Sequence, residues 1–447
     1  MARDISNRMN FTEVLLFLIL IALPFLFYFW YPHIKQEGAA VEVERIVATF
    51  DKSPIDFKHE RLTEKPEFGQ MFTNVQVEKS GGETSILAAD GLRGVVTRFS
   101  QSDSGWEQSN LNEELLACPA HVTPTDLDAD GDTDYLVCCI GGVQPTNALC
   151  GRVTWLENED GKFTSHTILD RVRRVSDAQV GDFDGDDDID IVVAVFGGLI
   201  QGQILYLENN GDQKFTDYEV MNVSGAIHVP VADFDGDGDL DFAAVVSQEE
   251  EEVWAFENEG DGFRDPKSHL LFRTSNFDLG TAGMIANDID QDGDQDLIIP
   301  VGDNLELINN APQPWHGVKL LENKGGWKFE TRQIADIGGV YGVSPGDIDG
   351  DGDTDLAIVT MFNDWLQDDA ASVLWLENDG KLNFKTWQIA SDPIQLATVA
   401  CADVNNDGAA DILTGSFHFR KPFENYGGVD VFFNQRGDGG SKSGEKK

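Results

Sequence analysis

Short apolar runs recur along the chain at a nearly constant interval. YLVCCI from Tyr135, IVVAVF from Ile191, FAAVV from Phe242, LIIPV from Leu297, LAIVT from Leu356 and ILTGSF from Ile412 have the length and β-branched content of buried strands. Each is followed by a second run that closes on Asn: VTWLEN, ILYLEN, VWAFEN, VKLLEN, VLWLEN and VDVFFN. After all but the last comes a Gly-containing turn and a Phe-led third strand, such as KFTSHTIL from Lys162 or KFETRQIA from Lys328. A further alternating strand, such as HVPVA from His228, leads into the next apolar run. Four short strands per period describe a propeller blade and not a solenoid coil.

Between the lead-in strand and each apolar run lies a nine-residue acidic segment: DLDADGDTD, DFDGDDDID, DFDGDGDLD, DIDQDGDQD, DIDGDGDTD and DVNNDGAAD. Their first residues are separated by 56, 51, 55, 59 and 56 positions. Asp at positions 1, 3, 5 and 9, with a turn Gly at 6, wraps oxygens around a hard cation. Oxygen ligands at this density suit calcium better than magnesium, and no Cys or His is present for zinc. The candidate ligands are Asp126, Asp128, Asp130 and Asp134 in the first loop, and Asp182, Asp184, Asp186 and Asp190 in the second. The third supplies Asp233, Asp235, Asp237 and Asp241, and the fourth Asp288, Asp290, Asp292 and Asp296. The fifth supplies Asp347, Asp349, Asp351 and Asp355. The sixth, with Asp403, Asn405, Asp407 and Asp411, carries one charge fewer and is expected to bind more weakly, so five or six calcium ions are anticipated. Asp187 replaces the turn Gly of the second loop, where a left-handed backbone costs about 1 kcal/mol.

The blade count depends on the ends. Residues 84–116 follow the same strand order without an acidic loop and make a degenerate first blade. The last repeat lacks its outer strand, and residues 56–63 (DFKHERLT) resemble one, so the N-terminal segment is expected to complete that blade and close the ring. The expectation is an all-β, seven-bladed β-propeller over residues 50–435, followed by a Gly/Ser/Lys tail at 436–447 expected to be disordered.

Residues 14–31 (VLLFLILIALPFLFYFWY) carry no charge and end in an aromatic cluster, which predicts an N-terminal transmembrane signal-anchor helix. A cleaved signal peptide wants small residues close behind the run, and the nearest, Gly38-Ala39-Ala40, lie well past it. Residues 1–13 would then be cytoplasmic, 32–49 a linker, and the propeller periplasmic or extracellular. With 79 acidic against 32 basic residues, a net charge of −47 excludes a binder of nucleic acid through a basic surface. Cys118, Cys138, Cys139 and Cys150 cluster, and a Cys118–Cys150 disulfide is the expected pairing in an oxidising compartment.

These loops between strands, together with Phe196-Gly197-Gly198, resemble the FG-GAP/VCBS repeats of integrin α-chain-like propellers and bacterial surface proteins. The resemblance implies a calcium-stabilised propeller. Such proteins include adhesion modules, sugar-binding propellers and some polysaccharide lyases or sugar dehydratases, so it leaves activity open.

The lead-in strands hold the remaining clue. Counting back from each loop, position −5 carries His121, Asp177, His228, Gly283, Gly342 and Thr398. Alternation assigns this set to the central channel, so His121, Asp177 and His228 are expected at the mouth opposite the loops, with His418 leaning over it. They are candidates for acid/base chemistry or an additional divalent metal at the channel mouth, against the plainer reading of solvated channel residues. His33, His59, His166 and His269 read as surface residues, and residues 249–252 (EEEE) as a solvated loop. The favoured function is a non-catalytic, membrane-anchored module for a protein or glycan ligand, serving adhesion or carbohydrate binding. The alternative is a metal-assisted lyase or dehydratase acting on an extracellular carbohydrate.

Overall fold

The computed structural model describes residues 49–64, 70–80, 82–102, 105–143, 146–198, 201–248, 251–276, 278–305, 311–418 and 427–436. Among them the chain is entirely β, and no helix is long and apolar enough to cross a membrane. The expected anchor at 14–31 and the tail lie outside the described residues.

Each acidic segment closes a hairpin in the same register. The residue before the segment pairs with its ninth: Thr125 with Asp134, Gly181 with Asp190, Ala232 with Asp241, Asn287 with Asp296, Gly346 with Asp355 and Ala402 with Asp411. The strand that follows is buried at every position in Asp134–Cys139, Asp190–Val195, Asp296–Val301 and Asp355–Thr360. The packing explains why these strands read as continuous apolar runs. Val193 faces a core shared with Leu136 and Val153 of the preceding sheet, while Val192 faces Phe242 and Ala244 of the next. Each fully buried Val, Leu or Phe contributes roughly 1.5–3 kcal/mol of transfer free energy.

The described strands form four four-stranded sheets, one five-stranded sheet and one eight-stranded sheet. The eight-stranded sheet holds Gln70–Ser80, Glu83–Asp90, Val95–Ser102 and Gly105–Asn110, joined to the C-terminal strands where Phe417 and His418 pair with Met71 and Gln70. Gln70–Ser80 is an inner strand that sequence patterning missed, because no acidic loop follows it. Phe57–Arg61 pairs antiparallel with Val429–Asn434, the outer position anticipated for residues 56–63. Asp51–Lys52 adds an unanticipated parallel fifth strand beside Phe384–Ala390.

Two expectations are overturned. All five cysteines are free thiols: Cys150 directs its Sγ to the Ile140 carbonyl at 3.6 Å, and the buried Cys118 thiol is pushed up to about 11 chiefly by desolvation. The acidic run at 249–252 is not a solvated loop over its described part. Glu251 and Glu252 are 3% and 5% exposed at the start of strand Glu251–Glu257. Glu251 accepts from Gly280 N–H (3.0 Å), Thr281 Oγ1 (2.6 Å) and Ser247 Oγ (3.2 Å), and Glu252 accepts from Trp254 Nε1 and pairs with Arg273.

Candidate functional site

The acidic loops owe their shape to two left-handed residues each, at positions 4 and 6. Ala129, Gly185, Gly236, Gln291, Gly350 and Asn406 occupy the first, and Gly131, Asp187, Gly238, Gly293, Gly352 and Gly408 the second. This folding turns backbone N–H groups onto the first aspartate: Asp126 accepts from Asp130 and Gly131, and Asp288 from Asp292 and Gly293. One carboxylate oxygen from each of three aspartates then lies within 4.8 Å of the others in Asp126/Asp128/Asp130, Asp182/Asp184/Asp186, Asp233/Asp235/Asp241, Asp288/Asp290/Asp296 and Asp347/Asp349/Asp351. The sixth loop, with Asn405 at its third position, forms no such carboxylate group. The donor set is all oxygen, and Asp184 Oδ1 is buried without a hydrogen-bond partner, so the five clusters fit a cation.

The ninth aspartate has a second duty that the sequence did not reveal. Asp134, Asp190, Asp241, Asp296, Asp355 and Asp411 are essentially unexposed, and each accepts from the N–H of the second loop residue and from the N–H of the Asn that ends the following strand. Burial pushes these carboxyls up, to about 6 at Asp190 and about 7 at Asp241, Asp296 and Asp355. The Asn side chains continue the chain of contacts. Asn258, Asn323, Asn378 and Asn434 donate through Nδ2 to the carbonyls of Phe183, Phe234, Ile289 and Ile348, each the second residue of the preceding sheet's loop. Neighbouring loops are thereby tied together.

Along the lead-in strands, residues from Gln70–Ser80, Pro119–Thr125, Val175–Gly181, Ile285–Asn287, Val340–Gly346 and Leu396–Ala402, with 227–231, line one cavity of about 660 Å³. His121, Asp177 and His228 do meet there. His121 Nδ1 lies 3.0 Å from Asp177 Oδ1, and the two imidazole centroids are 6.1 Å apart. Asp177 Oδ1 also accepts from the Gln179 amide (3.0 Å), and Oδ2 accepts from Val229 N–H (2.9 Å).

Position −5 proves to be a capping position. An inner strand leaves edge N–H groups without a strand partner, and a neighbour's side chain takes them. Asp177 accepts from Val229, His228 Nδ1 from Met284 N–H (3.1 Å), and Thr398 Oγ1 from Val75 N–H (3.1 Å). Gly283 is required opposite His228, because a Cβ there would stand 2.8 Å from the ring. The reading of this set as merely solvated channel residues is therefore corrected. Asp177 is engaged by Gln179 and Val229, and His121, Asp177 and His228 do not form a three-ligand group of the kind seen in the loops.

His121 is the exception to capping. Because Asp177 accepts, His121 Nδ1 carries the proton and Nε2 keeps its lone pair, near the Gln76 amide at 3.5 Å. Burial, opposed by the Asp177 charge, holds the His121 pKa below its ordinary value. Burial alone would raise Asp177, but His121, His228, Val229 N–H and Gln179 outweigh it and hold the carboxyl below its usual range. The pair is thus a neutral imidazole oriented by a carboxylate.

His418 does not join it. It is buried at the end of Asp411–His418, with Nε2 2.5 Å from the Ile394 carbonyl, and is absent from the cavity lining. His59, His166 and His269 are not plain surface groups either: each meets a carboxylate (Asp430, Glu157, Glu257) and stands against an aromatic ring (Phe432, Trp155, Trp327). Sequence reasoning passed over His316, which burial holds down at about 4, and Arg174, which lines the cavity. Neither sits in a repeated motif, so no periodic signal could have found them.

Residues 121–193, 233–299 and 362–414 match the model of the FG-GAP-like repeat. No curated protein matches the chain.

Proposed function

From the premise that this is a propeller-type protein of FG-GAP-like repeats, we propose that it is a seven-bladed, calcium-stabilised module that takes its ligand in the central cavity. The blade count follows from dividing the eight-stranded sheet at the short Phe417–Met71 pairing. Calcium would be held by the aspartates at positions 1, 3 and 5 of the first, second and fifth loops, and by those at positions 1, 3 and 9 of the third and fourth. The ion supplies positive charge where three carboxylates converge. Residues 14–31 would tether the propeller to a membrane, on its periplasmic or extracellular side, where a protein or glycan ligand is met.

The observation that carries the reading is the cavity. Strands from every sheet converge on a space of about 660 Å³, the size of a small-ligand site, with a few polar groups set in an apolar frame. The orientation of His121 by Asp177 also supports a second, enzymatic reading, in which Nε2 accepts a proton from a carbohydrate carbon acid during lyase or dehydratase chemistry.

The test uses the full chain in detergent. With histidine side chains labelled by nitrogen-15, the ring signals of His121 and His228 should shift saturably with a sugar or small-acid ligand. Product formation in the same samples would favour the enzymatic reading. No shift with any of a broad set of both would sink the cavity as the site. Separately, EDTA should lower the melting temperature markedly, and an unchanged transition would remove calcium.

A further inference from the structure

The cavity does not share the acidity of the molecule around it. The chain has 79 acidic and 32 basic residues, yet the described lining holds a single carboxylate, Asp177, against one arginine, Arg174, and two imidazoles, His121 and His228. That carboxylate is already satisfied on both oxygens by His121, Gln179 and Val229. An entering ligand therefore meets no free anion in the described lining.

Arg174 stands just before strand Val175–Gly181, at the end of that strand remote from the acidic loop. Its Nε is shielded from solvent and makes no hydrogen bond, and no described carboxylate lies within ion-pair distance. Its guanidinium lies over the Phe196 ring at 4.9 Å, and burial holds its pKa below the ordinary arginine value. Other arginines of this acidic protein meet carboxylates, such as Arg61 with Asp430, Arg98 with Glu78 and Arg264 with Glu208; among the described arginines without such a pair, Arg174 is the one in the cavity lining. A partly dehydrated guanidinium without an anion is costly to keep, and the ring face below it holds its plane without neutralising its charge.

We propose that Arg174 anchors a small oxyanion, the carboxylate, phosphate or sulfate group of a ligand bound in the central cavity. The inference rests on the cavity being the ligand site and adds the chemistry it selects. A planar guanidinium presents parallel N–H donors that match two oxygens of such a group, a geometry lysine cannot copy. His121 Nε2, which the Asp177 contact leaves as an acceptor and the Gln76 amide approaches only at 3.5 Å, suits a hydroxyl on the same ligand. The acidic loops lie at the far end of the inner strands, and charges beyond roughly 8 Å are largely screened at physiological ionic strength, so the net −47 need not repel an anion at this mouth.

The test titrates the calcium-loaded full chain in detergent with matched probes: glucuronate against glucose, then acetate, inorganic phosphate and sulfate. The readout is the saturable shift of the His121 and His228 ring signals, together with heat of binding. Glucuronate should bind more tightly than glucose by at least about tenfold, the worth of one charge-assisted hydrogen bond. R174Q should erase that difference while leaving the weak glucose response, and R174K should restore only part of it. Which of acetate, phosphate and sulfate competes best identifies the source of the oxyanion. An unshifted melting temperature of R174Q establishes that it folds; if it does not fold, R174K carries the comparison. Equal binding of glucuronate and glucose, or equal glucuronate binding by wild type and R174Q, overturns the oxyanion while the cavity stands. No response to any probe, neutral or charged, removes the cavity reading and this one with it.

Discussion

Single residues in the acidic loops carry backbone strain that nothing nearby compels. Ala129 (φ 58°), Asp187 (φ 73°) and Gln291 (φ 59°) are left-handed at positions where sister loops use glycine. At Gly236, its counterpart in the third loop, an added Cβ would meet nothing within 4 Å, so the cost there is conformational and not steric. Ala129→Gly should raise stability by roughly 0.5 kcal/mol, the left-handed penalty less the extra chain entropy of glycine, whereas Gln291→Gly would also lose the bond that Gln291 Nε2 donates to the Gly352 carbonyl at 2.7 Å. Gly236→Ala should lower it by a similar amount, and urea midpoints at saturating calcium would decide both. Glu251 is the second informative residue. Burial pushes its carboxyl from 4.5 up to about 7, although Thr281, Gly280 and Ser247 oppose that shift. A folded-state pKa above the unfolded value means that the folded chain holds the proton more tightly. This contribution is fully present below pH 4.5 and is lost as pH rises through about 7. Glu251→Gln should therefore flatten the fall in stability between pH 5 and 8, and an unchanged slope would reject the assignment.

Among the elements, the asparagine that closes the strand after each apolar run is buried in five of the six repeats, and its contacts differ from sheet to sheet. Asn323 joins Asp296, the Gln295 carbonyl and the Phe234 carbonyl of the preceding loop, whereas the Asn209 side chain donates only within its own sheet, to Ile189. Asn323→Ala should cost more than Asn209→Ala, by about 1 kcal/mol for the extra buried acceptor left bare. Equal losses in thermal denaturation would show that the inter-sheet bond is idle. The recurrence of this Asn was plain in the sequence, and so were the hairpin register and the strands, because period and apolar runs depend on local pattern. Its partners were not legible, since Phe234 lies 89 residues away. The same holds for Glu251 and Glu252: four successive glutamates look solvated until strand pairing brings Thr281 and Arg273 to them. His121, Asp177 and His228 could be placed together from register alone. That Asp177 and His228 cap a neighbouring strand, leaving His121 and Arg174 as the groups facing a ligand, needed the packing of one inner strand on the next.

At the scale of the whole molecule, the N-terminal segment makes two separate contacts with the C-terminal sheets, and the proposed ring would depend on them for its closure. Phe57–Arg61 covers the edge of Val429–Asn434, where the wholly buried Asp430 receives His59 at 2.7 Å and Arg61 at 3.1 Å. Upstream, Asp51–Lys52 lies along Phe384–Ala390, Ser53 Oγ accepts from Trp375 Nε1, and Phe50 packs on the core below. The segment thus fastens two sheets at once. Replacing both His59 and Arg61 with Ala would leave Asp430 buried without these two side-chain partners, a loss of roughly 2 kcal/mol, yet the backbone pairing would remain and unfolding should stay cooperative. Deleting residues 50–64 from the full chain is the sharper intervention. It uncovers the apolar strand ending at Asn434, an open edge prone to pairing with another copy. The deleted protein should aggregate or lose its single unfolding transition even at saturating calcium, because filled loops cannot replace a missing strand. Light scattering and calorimetry would read this directly. A deletion variant that stays monodisperse and melts in one transition at the wild-type temperature would mean that the sheets hold the ring without the N-terminal clasp.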